Sequence, residues 1–438
     1  MPQRGKTGGI PEGYLSESIK KGSVVEISYA SRHYAGDESS INKKAYVYLP
    51  YGYNDKDTKT RYNIFYMMHG LGETADSFFS YGGGYAKNLL DNMIEKGNMP
   101  PVIVVAATFD AENAPQRMSR SDSEVRQFHR DFLNDLMPAV EGRFHTYAAG
   151  TSAAAFAASR DHRAFGGFSL GAVTTWFEFC YNADYIRYFL PMSCSCWYYG
   201  GYGDYKPKEN ADLFEKVIAE HNLNTKGYFI YACTGTNDTE QGQVDLLMDE
   251  MLKRPAFRSA DNVVYYKKDG GMHNMNAGFE YIYNALPLFF NDISAEDAVF
   301  YNIYSNFERM SDPLKAETGL YYFKGNPGGP FVICVEGSGT KDEFVRGSGF
   351  SQAYTLSKSG YNAFALRCRS DEKSACADLS RAISLVIDNA SMLGVSKDNY
   401  ILWGGPKGKK TVNSVNKNGT AAYGAGEYPK AGQILTGG

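Results

Sequence analysis

The chain has 438 residues, with 45 Lys+Arg against 49 Asp+Glu, a net charge of -4, 43% hydrophobic and 21% charged residues. That composition is ordinary for a globular protein, supplies ample material for a core, excludes a disordered chain and gives no basic excess to hold a nucleic acid. No apolar run approaches the ~18 residues of a membrane-spanning helix, and the N-terminal MPQRGKTGGIPEG carries no h-region of a signal peptide.

Residues 1–20, rich in Gly and Lys, read as a flexible N-terminal segment. Strand-type runs follow at 44–50 (KAYVYLP), 62–68 (YNIFYMM), 101–108 (PVIVVAAT), 163–168 (RAFGGF), 188–192 (YFLPM), 227–233 (GYFIYAC) and 262–267 (NVVYYK). Several are almost continuously apolar, as in parallel strands covered on both faces. Between them, 123–144, 171–180, 212–222, 243–253 and 275–290 have helical patterning. This alternation predicts an α/β domain over residues 21–292, with a mostly parallel central sheet. After the punctuation at Pro327-Gly328-Gly329-Pro330 the pattern resumes: strands at 331–335, 361–368, 400–403 and 432–435, and helices at 350–359 and 375–393. Residues 297–438 are therefore expected to form a second, smaller α/β domain.

The 34 Tyr, 26 Phe and 3 Trp would suit sugar or phenolic rings, although half-buried strand positions account for most of them. Seven Cys without a repeated CxxC predict neither a disulfide framework nor a zinc site, but buried small side chains.

Gly167-Phe168-Ser169-Leu170-Gly171 is a GxSxG sequence, weak by itself in a chain with 46 Gly. Its setting strengthens it, because a strand-like run precedes Ser169 and a helix-like run follows, as a nucleophile elbow requires. Only His221 and His273 follow Ser169 among the seven His. His221 falls in an amphipathic helix, whereas His273 follows two glycines at a strand end, so His273 is the candidate base. Asp238 is the first carboxylate beyond the 227–233 strand and the candidate orienting acid, ahead of Glu240 and Asp245; its alternative role is a cap on the next helix. The Gly-rich turn His69-Gly70-Leu71-Gly72 offers the Leu71 N–H as one oxyanion donor, with the Leu170 N–H as the other. His69 is then a structural residue of the turn.

The ordered series YLPYGY, YMMHGLGET, SRDHRAFGGFSLGAVTTW, SCSCWYYGGYGD, TGTND and GGMHN resembles carbohydrate esterase family 1, the feruloyl and acetylxylan esterases, often modules of bacterial xylanases and related in fold to esterase D. The resemblance covers about residues 20–290. It implies an α/β-hydrolase fold and a Ser169–His273–Asp238 triad that hydrolyses esters on plant xylan through an acyl-enzyme. It needs neither cofactor nor metal. Trp197 falls where such enzymes carry an aromatic near the substrate; core packing is its alternative. The expected activity is release of ferulate from feruloylated arabinoxylan. Acetylxylan esterase, a small thioester hydrolase and a non-catalytic glycan-binding protein are the alternatives.

Residues 297–438 resemble the first part of another α/β-hydrolase, with FVICVEGSG at the oxyanion strand, GYNAFALRCR at the next and YILWGGPKGKK at the elbow. Pro406 stands where the nucleophile would be, and no His follows His273, so this domain is expected to be degenerate and non-catalytic. The expected partner is a feruloylated or acetylated xylan, with no nucleic acid and no membrane; a homo-oligomer is left open. A polymeric substrate implies secretion, with a cytoplasmic enzyme acting on imported oligosaccharides as the alternative.

Overall fold

The computed structural model describes residues 8–96, 98–109, 118–224, 227–257, 262–290, 298–337, 344, 348–358, 360–405 and 407–436. The chain divides into two compact units, one ending at Phe290 and the other beginning at Asn291, with 96–98 grouped with the second.

The first unit is built on eight strands: β1 (Ser23–Arg32), β2 (Ser40–Leu49), β3 (Asn63–Met68), β4 (Val102–Ala107), β5 (Arg163–Phe168), β6 (Tyr188–Met192), β7 (Phe229–Asn237) and β8 (Val263–Met272). Their order across the sheet is β1-β2-β4-β3-β5-β6-β7-β8. The pairs β1/β2 and β2/β4 are antiparallel and every later pair is parallel. The fold is thus α/β, with a mostly parallel sheet in hydrolase order. The central strands β3, β4, β5 and β6 are buried along almost their whole length, as their continuous apolar sequences require. The longer helices of this unit among the described residues are α1 (Tyr85–Glu95), α2 (Met118–Asp131), α3 (Leu170–Tyr181), α4 (Pro207–Glu220), α5 (Gln241–Leu252) and α6 (Met275–Ala285). One core cluster gathers Phe132, Trp176 and Phe214 with one set of strand side chains, and another gathers Leu89, Phe279 and Ile282 with the other set.

Three local features depart from the sequence expectations. Residues 8–20 are not frayed. Tyr14 is buried edge-on against Tyr283, Asn88 Nδ2 donates to Leu15 O, and Asn92 Nδ2 donates to Tyr14 O and Ser16 O. The single helix predicted over 123–144 is instead α2, a π-helical turn at Phe132–Leu136 and a short helix at Met137–Glu141. Pro138 lacks the N–H that a continuous α-helix would use, and the wider turn lies just before it. Finally β1 and α1 were not predicted.

The second unit contains β9 (Val299–Asn302), β10 (Gly319–Phe323), β11 (Pro330–Gly337), β12 (Asn362–Arg367), β13 (Ser396–Gly404) and β14 (Gln433–Thr436). Their order is β9-β10-β12-β11-β13-β14, with β9/β10 and β10/β12 antiparallel and the rest parallel. This repeats the order and direction of the first six strands of the first unit. The helices α7 (Ser348–Lys358), α8 (Glu372–Asp388) and α9 (Lys409–Asn418) accompany it, and it has two cores of its own. The strands β9 and β10 and the helix α9 were not predicted. Pro406 lies outside the described residues.

All seven Cys are free and buried. No helix among the described residues is long and apolar enough to cross a membrane.

Candidate active site

The C-terminal ends of β5, β7 and β8 supply the site, and glycines let them converge. β5 ends at Phe168, and Ser169 follows with φ 56 and ψ -115, a conformation that L-residues rarely adopt and that costs backbone energy. The strain is held by close packing. A Cβ on Gly171 would lie 2.2 Å from Met68 O, and one on Gly167 would lie 2.5 Å from the Gly171 carbonyl carbon, so only glycines allow α3 to start this close to β3 and β5. The Ser169 N–H donates to Met192 O at 2.8 Å, and the Ser193 N–H donates to Cys233 O at 2.8 Å, which stitches the ends of β5, β6 and β7 together. Ser193 is itself fully buried with φ 63.

His273 stands between the end of β8 and the start of α6, and both sides fix it. On one side Met272 pairs with Asn237 of β7. On the other, Asn274 Oδ1 caps α6 by accepting from the Asn276 and Ala277 N–H groups at 3.1 and 3.3 Å. The imidazole then bridges two side chains. Its Nε2 lies 2.9 Å from Ser169 Oγ, and its Nδ1 lies 2.8 Å from Asp238 Oδ1. Asp238 follows β7, with its side chain shut off from solvent. Its Oδ1 also accepts the Glu240 N–H at 2.8 Å, so the turn-capping role and the His-orienting role fall on one oxygen. Burial pushes the Asp238 carboxyl up, but the hydrogen bonds from His273 and the Glu240 N–H, with the Ser193 hydroxyl close by, outweigh it and leave the group below the ordinary carboxylate range.

The loop after β3 packs against Ser169: a Cβ on Gly70 would sit 3.4 Å from Ser169 Cβ. The Gly70 N–H is taken by Glu73 Oε2 at 2.8 Å. Leu170 is the first residue of α3, whose N-terminus carries partial positive charge toward Ser169. Leu71 is partly exposed on the loop. His69 is buried, with Nδ1 2.8 Å from Gly70 O and Nε2 2.9 Å from Thr108 Oγ1; burial pushes it down to about 4, so it stays neutral.

The other candidates are engaged elsewhere. His221 pairs with Asp184 at 2.8 Å. Asp245 is bound by Lys267 and Tyr265. Glu240 is the residue preceding α5. Trp197 is only 4% exposed, and its Nε1 donates to Gln243 Oε1 at 3.2 Å; Tyr202, itself exposed, packs edge-on against its ring. Gln243, which no sequence motif singled out, joins several of these residues. No cluster of three or more potential metal ligands occurs among the described residues.

A hydroxyl, an imidazole and a carboxylate thus form one hydrogen-bonded series at the C-terminal edge of a hydrolase-ordered sheet, an arrangement able to serve as nucleophile, base and orienting acid. The Esterase family model ("Putative esterase") matches residues 40–282, more than half of the chain. The chain belongs to the Esterase family. The chain is 33% identical over 287 residues, 64% of its length, to endo-1,4-beta-xylanase Y of Acetivibrio thermocellus. It is 28% identical over 161 residues, 36% of its length, to an endo-1,4-beta-xylanase/feruloyl esterase of Xylanibacter ruminicola. It spans only 24% and 20% of those two proteins. Among solved structures, the serine-to-alanine mutant of the feruloyl esterase module from Clostridium thermocellum, complexed with sinapinate, matches with a TM-score of 0.58 and 32% identity, covering 67% of this chain and 96% of that one. The first unit thus carries the α/β fold of that module, and the family resemblance read from the motifs holds for it.

Proposed function

We propose that this esterase releases hydroxycinnamates such as ferulate from esterified xylan, with Ser169 as nucleophile, His273 as base and Asp238 as orienting acid. The carrying observation is the His273 bridge, 2.9 Å to Ser169 Oγ and 2.8 Å to Asp238 Oδ1. The aromatic acyl group is favoured by the likeness to a feruloyl esterase module complexed with sinapinate, of which this chain covers 96%.

In this reading Ser169 Oγ attacks the ester carbonyl carbon and His273 Nε2 takes its proton. Asp238 accepts from Nδ1–H, fixes the tautomer and stabilises the imidazolium. The N–H groups of Leu170 and Leu71 receive the developing oxyanion. His273 then gives its proton to the leaving sugar oxygen as the tetrahedral adduct collapses to an acyl-serine. Water, deprotonated by the same imidazole, attacks that ester; the second adduct collapses to release the carboxylic acid and restore Ser169. Each step is a proton transfer or acyl transfer that these side chains can carry without a further group.

The second unit is proposed to be a non-catalytic copy of the hydrolase sheet. Its support is the shared order of six strands, and the absence of any His after His273 leaves it without a base for such a relay. Because feruloylated xylan is a polymer of the plant cell wall, the site of action is proposed to be outside the cell.

Turnover of methyl ferulate and of an acetylated xylan, by the wild type and Ser169→Ala in parallel, tests the reading. Ferulate release that depends on Ser169 is the expected result. Acetate release alone would replace it with acetylxylan esterase activity, and no Ser169-dependent release would overturn the assignment.

A further inference from the structure

The side chain of Gln243 sits in the first turn of α5, 4% exposed, between two loops that arrive from distant parts of the chain. Its Oε1 accepts four donors from the loop after β6: the Ser195 N–H at 3.2 Å, Ser195 Oγ at 2.7 Å, Trp197 Nε1 at 3.2 Å and, more weakly, Cys194 Sγ at 3.5 Å. Its Nε2 donates to Glu240 Oε2. Glu240 in turn gives its N–H to Asp238 Oδ1, the oxygen that receives His273. A single buried amide therefore uses its acceptor on the Trp197 loop and its donor on the acid turn. Neither a carboxylate nor an apolar side chain of the same size could serve both, because one lacks the donor and the other lacks both groups.

We infer that Gln243 is a positioning residue that joins the Trp197 loop to the Asp238–Glu240 turn, so that the acid stays aligned on His273 while the loop beside it is held. The inference rests on the esterase reading of Ser169, His273 and Asp238. Gln243 touches no reacting atom; it acts by fixing Glu240, whose backbone fixes Asp238. Buried polar networks are worth most when every member is satisfied, and the loss of one member reaches the others.

Polarity reversal of the Gln243–Glu240 bond provides the test. Gln243→Glu keeps an acceptor for Ser195 and Trp197 but sets two carboxylates against each other beside Asp238. It is expected to lower kcat for methyl ferulate about tenfold or more, with KM changed less. The double variant Gln243→Glu with Glu240→Gln restores a donor and an acceptor across the same gap, with their roles exchanged. It is expected to recover kcat to within about threefold of wild type, since neighbouring side chains couple non-additively. Gln243→Leu removes both halves and is expected to lower kcat and raise KM together. A double variant no better than Gln243→Glu, or a Gln243→Glu enzyme with wild-type kcat, would overturn the inference. Loss of folded protein in Gln243→Leu would not replace that comparison, because the two charge variants decide it. Ser169→Ala, run alongside, separates a failure of the esterase reading, in which turnover survives that change, from a failure of this one.

Discussion

Asp238 gives one oxygen to two donors, the His273 imidazole and the Glu240 N–H, and this sharing sets what a substitution there would do. Asp238→Asn keeps an oxygen in the same place but removes the charge that stabilises the imidazolium. Turnover of methyl ferulate should fall by up to about 10⁴-fold with little change in KM, measured from full saturation curves. The carboxyl lies below its ordinary range in the fold, so its stabilising contribution is present above the ordinary carboxylate pKa and is lost as pH falls through the lowered one. The opposite case is Glu178, fully buried in α3 with one oxygen bonded to Asn182 and pushed up to about 8, chiefly by burial. In the unfolded chain this group ionises near the usual carboxylate value, but in the fold it stays neutral until about pH 8. Its effect is to drain stability as pH rises from the carboxylate range toward 8. Glu178→Gln should therefore match the wild type near pH 4 and exceed its Tm by a growing margin up to pH 8, as thermal melts across that range would show.

At the scale of elements, the elbow depends on how closely α3 approaches β3. Gly171→Ala would drive a methyl to 2.2 Å from Met68 O and should cost about 1–3 kcal/mol by chemical denaturation, with ester hydrolysis lost in proportion to the shift of Ser169. Gly242→Ala is the control, because nothing lies within 4 Å of its added methyl in α5, and it should gain up to about 1 kcal/mol. The same closeness explains what the sequence allowed a reader to see. Strands such as β4, with every residue of VIVVAA buried, stand out as apolar runs, and β5 and β6 match their predicted bounds. The edge strand β1 does not, since along its second half it alternates between the core and solvent and its sequence mixes Glu, Ser and Arg among the apolar residues. That Ser169, Asp238 and His273 come together was legible because each follows a recognisable strand within a short Gly-containing turn. Gln243 was not, because its partners Ser195 and Trp197 lie 48 and 46 residues away and no spacing rule connects them.

For the whole molecule, each unit has its own sheet with a hydrophobic core on either face, which is the usual condition for folding alone. A chain ending at Phe290 should accordingly fold and retain the kcat/KM of the full protein for methyl ferulate. Calorimetry of the full chain compared with that fragment would check the first expectation, and steady-state assays the second. The repetition of strand order between the units was not legible from the sequence at full length. The short strands β9 and β10, which complete the match, are set among helical turns and Gly-containing segments that carry no strong period.

The seven buried thiols have a practical consequence. Burial pushes Cys180, Cys194, Cys233 and Cys334 well up and holds Cys368 at about 12, so the nucleophilic thiolate is almost absent from these residues in the fold. A chromogenic disulfide reagent should find nothing to react with in the native protein and seven sulfurs once it unfolds. The colour it yields is then a direct clock of unfolding, and the folded protein should pass between oxidising and reducing surroundings with its covalent structure unchanged.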